Sequence, residues 1–328
     1  MTHSAQTIAV VVVNYNSGDY LTACIDSVFK QTKAADRVVI IDNNSNDGSA
    51  ESIAERYPQL QLIRQSQNIG FAAANNVALE LIDDCDWVIL LNPDATASPD
   101  LIHLLKDAIA EHPEIQMFSC RLVDANDKRV LDGTGDRYHV SGLGWRRDHG
   151  ASVNRSRDIA ETIFSPCGAA AVYNIQWMRR AGCFDETYFC YNEDTDLAFR
   201  MRLLGANCLH LDHCIVNHVG SGISGSDSDF TVYHGHRNLV WTYIKNMPKG
   251  MLWWYLPQHL LLNLITILYY SIKGRPRVIF RAKWHAVLGL PRAIRQRSKI
   301  QETRKVSGRK LREAMVRNPL APYFYRNE

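Results

Sequence analysis

Residues 188–196 read Tyr-Phe-Cys-Tyr-Asn-Glu-Asp-Thr-Asp, an aromatic run that passes directly into three carboxylates at the start of a predicted helix. The positive end of a helix dipole favours anions there. Part of the pattern is ordinary helix chemistry: Asp194 suits an N-cap, and Asp196 with Arg200 makes an i, i+4 ion pair. Capping does not call for aromatic neighbours, however. The aromatic residues up to Tyr191, followed by Asn192 and Glu193, suit a sugar-binding wall, with a carboxylate placed to deprotonate an incoming hydroxyl. Two other sites carry chemistry at predicted strand ends. Asp42 can accept the imide N–H of a uracil or thymine on which Tyr15 stacks, and Asn92-Pro93-Asp94 offers a carboxylate that a divalent ion could bridge to a diphosphate. The chain has neither a Gly-x-Gly-x-x-Gly after its first strand nor a Walker lysine loop, which argues against a dinucleotide dehydrogenase or a P-loop NTPase.

These residues need a scaffold, and the first 120 residues describe one. Residues 8–13 form a continuous apolar, mostly β-branched run, as a parallel strand covered on both faces requires. Leu21, Ile25, Val28 and Phe29 then recur at helical spacing. Further strands are predicted at 38–41, 60–63 and 87–91, and helices at 49–56, 71–81 and 99–111. The alternation predicts βαβ units in an open parallel sheet, which binds ligands at the carboxyl ends of its strands. Asn14-Tyr15-Asn16, the Asp42–Gly48 loop, Asn68-Ile69-Gly70 and Asn92-Pro93-Asp94 all fall on that edge. Asn, Asp and Gly are ordinary turn residues singly, but four such loops on the ligand-binding edge point to a site.

Residues 121–230 are less regular, with short strand-like stretches, many glycines and a helix over 193–204. The chain reads as helical from 233 to 270, and 251–272 is aromatic and aliphatic. Charge is divided along the chain. From Lys273 onward there are 16 Lys and Arg against Glu302, Glu313 and Glu328, a net of +13, so the first 272 residues carry a net of −10 within the overall +3. An acidic body with a basic tail predicts an anionic partner for the tail. Residues 251–272 are long enough to span a bilayer, but Pro257, Gln258, His259 and Asn263 interrupt them. An interfacial helix beside anionic lipid fits this pattern; a buried or dimer-forming helix and a true span are the alternatives. No nucleic-acid reading module accompanies the charge. An apolar content of 46% with 22% charged residues excludes whole-chain disorder. The eight cysteines include no Cys-x-x-Cys, so neither zinc nor a disulfide framework is indicated, and a reducing compartment fits. The N-terminus lacks the basic n-region of a secretory signal.

The motifs jointly resemble glycosyltransferase family 2, and within it the rhamnosyltransferase-like branch. The matching pieces, over about residues 8–240, are Val12-Val13-Asn14-Tyr15-Asn16, Val39 to Ser49, Asn68-Ile69-Gly70-Phe71-Ala72, Leu91-Asn92-Pro93-Asp94, Gly182 to Glu186 and Asn192 to Leu197. The resemblance implies an α/β, Rossmann-like GT-A fold. It places a catalytic region at 1–245, with a nucleotide-binding half over about 1–120 and an acceptor-binding half over about 121–245. Residues 246–328 then form a helical, basic, membrane-associating region. It further implies that Asn14, Tyr15, Asn16, Asp42, Asn68, Gly70, Asn75, Asn92, Asp94 and Arg237 hold the nucleotide sugar. Asp194 is the catalytic base. Asp94 and His218 (followed by Val219-Gly220-Ser221) hold a divalent metal, Mg²⁺ or Mn²⁺. Two departures from the family pattern stand out. Asn92 replaces the first acid of Asp-x-Asp, and Asn75-Asn76 stands where Arg-Asn is usual.

The activity implied is inverting transfer of L-rhamnose from dTDP-β-L-rhamnose to a hydroxyl of a lipid-linked cell-surface polysaccharide of the O-antigen kind, on the cytoplasmic face of the membrane. A UDP-hexose donor is the enzymatic alternative. A silent sugar-nucleotide-binding scaffold subunit is the alternative from another class, and a homodimer is compatible with the tail.

Overall fold

The computed structural model describes residues 6–155, 160–220 and 228–324. Ser221, read above beside His218, lies outside them. The first half follows the expected alternation: β1 (Ile8–Asn14), α1 (Asp19–Phe29), β2 (Arg37–Asp42), α2 (Ser49–Arg56), β3 (Gln61–Arg64), α3 (Gly70–Leu81), β4 (Trp87–Leu91), β5 (Ala95–Ala97) and α4 (Leu101–Glu111). The second half holds β6 (Met117–Asp124), β7 (Leu131–Gly133), β8 (Asp136–Tyr138), β9 (Gly144–Arg146), β10 (Ala160–Thr162), β11 (Ala170–Asn174), α5 (Ile175–Arg180), α6 (Glu193–Leu204) and β12 (Cys208–His218). The helices α7 (Asp229–Asn246), α8 (Lys249–Ile272), α9 (Pro276–Leu288) and α10 (Leu290–Thr303) follow.

The main sheet runs β10-β12-β6-β11-β4-β1-β2-β3, and β8–β9 is a separate hairpin. β1 to β4 are parallel, as the apolar runs within β1, β2 and β4 predict. The sheet as a whole is mixed, because β11 inserts antiparallel between β4 and β6. Successive β1 residues feed opposite faces. Ile8, Val10 and Val12 pack with Leu21, Ile25 and Leu105 from α1 and α4, whereas Ala9, Val11 and Val13 pack with Ala74, Met178 and Leu197 from α3, α5 and α6. Burying each large aliphatic side chain stabilises the sandwich by about 1.5–3 kcal/mol.

The helical stretch expected over 233–270 is divided between two helices. Pro248 drives Met247 out of helical geometry, to φ −62° and ψ 127°, and the chain restarts as α8. Met251, Leu252 and Tyr255 of α8 share a core with Tyr138, Phe199 and Tyr243 from the rest of the chain. The cysteines are free, and six of the eight are buried.

Candidate active site

The carboxyl ends of β1, β2 and β4 open into a cavity of about 500 Å³. Tyr15, Asn68, Gly70, Asn92, Asp94, Tyr191, Asn192, Glu193, Asp194 and His218 line it. Most of the predicted site residues are therefore gathered around one space.

Asn14, Asn16, Asp42, Asn75 and Arg237 are not part of the cavity lining. Asn14 and Asp42 are register partners on β1 and β2, and Asn14 Nδ2 donates to Asp42 Oδ1 at 2.8 Å. The same amide reaches Ser45 and Ser49, and Asp42 Oδ2 accepts from Ser45 N, so both side chains brace the loops beneath the site. Asn16 Oδ1 accepts from Asn46 N within the same brace. Asn75 donates to Phe71 O one turn back along α3. Its neighbour Asn76 clamps Phe184 O and Glu186.

Gly70 permits the closest approach in the wall. Its φ is +84°, and a Cβ there would lie 2.7 Å from Phe189 O and 2.6 Å from the Phe189 ring. Phe189, Tyr191 and Asn192 all have positive φ, between 64° and 68°. Conformations of this kind cost of order 1–3 kcal/mol each and need support from their surroundings. Asn238 on α7 supplies it: its Nδ2 lies within 2.7–3.0 Å of the carbonyls of Tyr188, Cys190 and Tyr191. Arg237 donates to Tyr188 O and Thr187 O. The Arg237-Asn238 pair thus holds the turn that delivers the carboxylates, rather than lining the space they face.

Asp194 does not cap α6. Asn192 occupies the N-cap position in left-handed geometry, without a side-chain cap bond. Instead, Asp194 Oδ2 accepts from Gly168 N, just before β11, at 3.0 Å, and Oδ1 from Thr195 N at 2.6 Å. Burial raises its pKa above the usual carboxylate value against those two bonds. Burial, together with the charge of Asp194, pushes Glu193 and Asp136 well up as well. Glu193 Oε2 is buried with no hydrogen-bond partner among the described residues. Asp196 belongs to the framework: Arg200 pairs with it at 2.8 Å, as the i, i+4 spacing predicts, and Lys245 of α7 joins it at 2.9 Å.

His218 arrives by strand pairing. β5 pairs with the end of β12, which sets His218 opposite Ala95 and its Nε2 at 3.2 Å from Asp94 Oδ1. Its Nδ1 donates to Asp132 Oδ2 at 2.7 Å. Burial disfavours the charged ring, but the bonds to Asp132 and Asp94 outweigh it and hold the pKa up at about 8. Asp132 was not legible as a site residue, nor were Trp145, Arg146 and Asp136. The hairpin β8–β9 brings the last three to the cavity, and Arg146 pairs with Asp132 at 2.5 Å. The only local signal was the glycine-spaced segment Gly142-Leu143-Gly144-Trp145.

A divalent metal is testable against this donor set. Among the described residues no cluster of three metal-type side chains occurs. The Asp94–His218 pair nevertheless fits an ion that takes its other ligands from a diphosphate and water. A carboxylate behind the far imidazole nitrogen, here Asp132, is the usual support of a ligating histidine.

Residues 9–180 match the sequence profile described as glycosyl transferase family 2. The chain belongs to that family. A curated relative, N-acetylglucosaminyl-diphospho-decaprenol L-rhamnosyltransferase of Mycobacterium tuberculosis, is 26% identical over 270 residues, 76% of this chain and 87% of the relative. Among solved structures, GalNAc-T7 with UDP, GalNAc and Mn²⁺ superposes with a TM-score of 0.63 at 15% identity, covering 78% of this chain and 50% of that one. This chain thus spans half the length of that protein. The mannosyltransferase PcManGT of Pyrobaculum calidifontis, in complex with GDP-Man and Mn²⁺, superposes at 0.53 with 18% identity, over 92% of this chain and 85% of that one. The fold is GT-A, with a helical C-terminal region.

Proposed function

We propose that this family 2 glycosyltransferase moves L-rhamnose from a nucleoside-diphosphate donor to a hydroxyl of a lipid-linked saccharide, with inversion. One observation carries the mechanism: Asp194 is buried at the cavity wall, held by two backbone N–H groups and raised in pKa, as a general base requires. Asp194 accepts the proton of the acceptor hydroxyl. The acceptor oxygen forms a bond to the sugar's anomeric carbon as the bond from that carbon to the phosphate oxygen breaks, and the nucleoside diphosphate leaves. A single displacement on the face opposite the leaving group inverts the anomeric centre.

Tyr15 offers a face for the donor base, above the loop that Asn14 and Asp42 brace. Asn92, Asp94 and His218 stand where the diphosphate belongs, and a divalent ion bound by Asp94 and His218 would neutralise charge on the departing group. Glu193, whose pKa burial and the charge of Asp194 push well up, lies beside the base at the cavity wall, within reach of the acceptor. Trp145 and Tyr191 supply apolar faces for its sugar ring.

Support for rhamnose and for a lipid-linked acceptor comes from the named activity of the M. tuberculosis relative. The test is nucleotide release from a panel of dTDP-, UDP- and GDP-sugars with a polyprenyl-diphosphate-linked N-acetylglucosamine acceptor, and the anomeric configuration of the product. Turnover of dTDP-β-L-rhamnose to an α-linked product is expected. Release from a UDP-hexose alone would replace the donor, and release from none would leave only a binding subunit.

A further inference from the structure

We propose that the exposed faces of α8 and α9 dock on an anionic lipid bilayer and seat the mouth of the cavity at its surface. α8 is, among the described residues, the one helix long and apolar enough to cross a membrane, yet only 22% of its most apolar window is buried. The buried side is fixed to the body of the protein. The His259 ring stacks on Tyr243 at 3.9 Å, and its Nδ1 donates to Ser141 O at 2.7 Å. A helix tied down along one side in this way lies on a bilayer and does not pass through it.

The opposite side is an apolar stripe with no partner among the described residues. Trp254, Leu261, Leu264, Leu268 and Ile272 recur along it at close to helical spacing, with Trp254 78% and Ile272 87% exposed. At 1.5 Å per residue a helix of 24 residues extends about 36 Å. α9 continues the surface with exposed Phe280, Trp284 and Leu288. Continuous apolar surface of this extent marks a contact face.

Charge selects the occupant. Residues 249–301 contain ten Lys and Arg and no Asp or Glu. A second copy of the chain would bring two surfaces of the same sign together. An anionic headgroup layer is complementary, with the aromatic and aliphatic side chains entering the acyl boundary.

The cavity adjoins this face. Phe230, on the first turn of α7, lines the cavity and packs on Phe189 and Tyr191. Its neighbour Asp229 meets Arg275, in the turn between α8 and α9, at 3.7 Å. Tyr270 at the end of α8 packs on His236 of the same helix α7. A substrate carried in the bilayer would therefore reach the cavity past Phe230 without leaving the surface. The docking claim uses none of the transfer chemistry, so its failure leaves the proposed reaction standing.

The experiment is flotation of the full chain with phosphatidylglycerol/phosphatidylcholine vesicles and with phosphatidylcholine vesicles. Two double variants accompany it, Trp254→Asp/Trp284→Asp and Arg277→Glu/Arg281→Glu, with thermal unfolding as the folding control. All four side chains are exposed, so unchanged melting is expected. The wild type should float with the anionic vesicles and be largely released at about 1 M salt, where the screening length falls to about 3 Å. Each double variant should lose on the order of tenfold or more in partitioning. Wild-type protein that ignores anionic vesicles overturns the proposal, as does equal binding by folded variants. So does resistance to alkaline carbonate, which marks a span. Self-association abolished by the tryptophan variant, without vesicle binding, would assign the face to a second copy and overturn it too.

Discussion

Gly168→Ala tests whether the position of Asp194, beyond its mere presence, sets the rate. A Cβ at residue 168 would lie 2.9 Å from Asp194 Oδ2 and 3.6 Å from its Cγ. A comfortable separation is about 3.5 Å, so the carboxylate must retreat by roughly 0.6 Å. The backbone at 168 is outside the left-handed region, and alanine is conformationally permitted there. Stability should change little. A misplacement of about 1 Å at a reacting group costs about 10²-fold, so this shift predicts a loss on the order of tenfold in kcat. The retreat also lengthens the bond from Gly168 N, which favours the ionised carboxylate, so the acid limb of the pH profile should move to higher pH. Steady-state nucleotide release across pH, alongside urea unfolding, measures both effects. Wild-type kcat with an unmoved acid limb in a folded variant would refute the reasoning.

Three further outcomes follow from the same geometry. In the unmodified enzyme, burial raises the Asp194 pKa and the base must be ionised, so kcat/KM should rise with pH through a midpoint above the ordinary carboxylate value of about 4; a limb at or below that value contradicts the assignment. Asp94→Ala should remove the effect of Mg²⁺ or Mn²⁺ on dTDP affinity in calorimetry, and metal-dependent binding equal to wild type would exclude Asp94 as a ligand. Lys245→Met leaves Asp185 and Asp196, at 2.7 and 2.9 Å from Nζ, without their shared buried cation. The expected loss in urea unfolding is about 3–5 kcal/mol, and a loss below about 1 kcal/mol would show that the pair is not coupled.

The first 120 residues were legible because their signals are local. A short, unbroken β-branched run such as Val10-Val11-Val12-Val13 favours a strand covered on both sides, and polar loops at the ends of such strands share an edge. What escaped depends on contacts between distant residues. Nothing near Asp132 in sequence predicts His218, 86 residues away; β6 stands between their strands, pairing with β7 on one side and β12 on the other. β8 and β9 are three-residue strands, too short for a period-2 pattern, so Trp145 and Arg146 came to the cavity unannounced. Residue type alone also does not show that Asp42 accepts from its register partner Asn14, or that Arg237 donates to the carbonyls of a strained turn. The break between α7 and α8 was readable from Pro248 alone, and apolar continuity concealed it.

In the proposed reaction Asp194 acts on the acceptor and not on the donor. Two readings on purified Asp194→Asn test this: the rate of glycosyl transfer, and the affinity for dTDP by calorimetry. Transfer should fall on the order of 10²–10⁴-fold with nucleotide affinity close to wild type. Near-wild-type transfer, or a loss of transfer matched by an equal loss of nucleotide affinity, would contradict it.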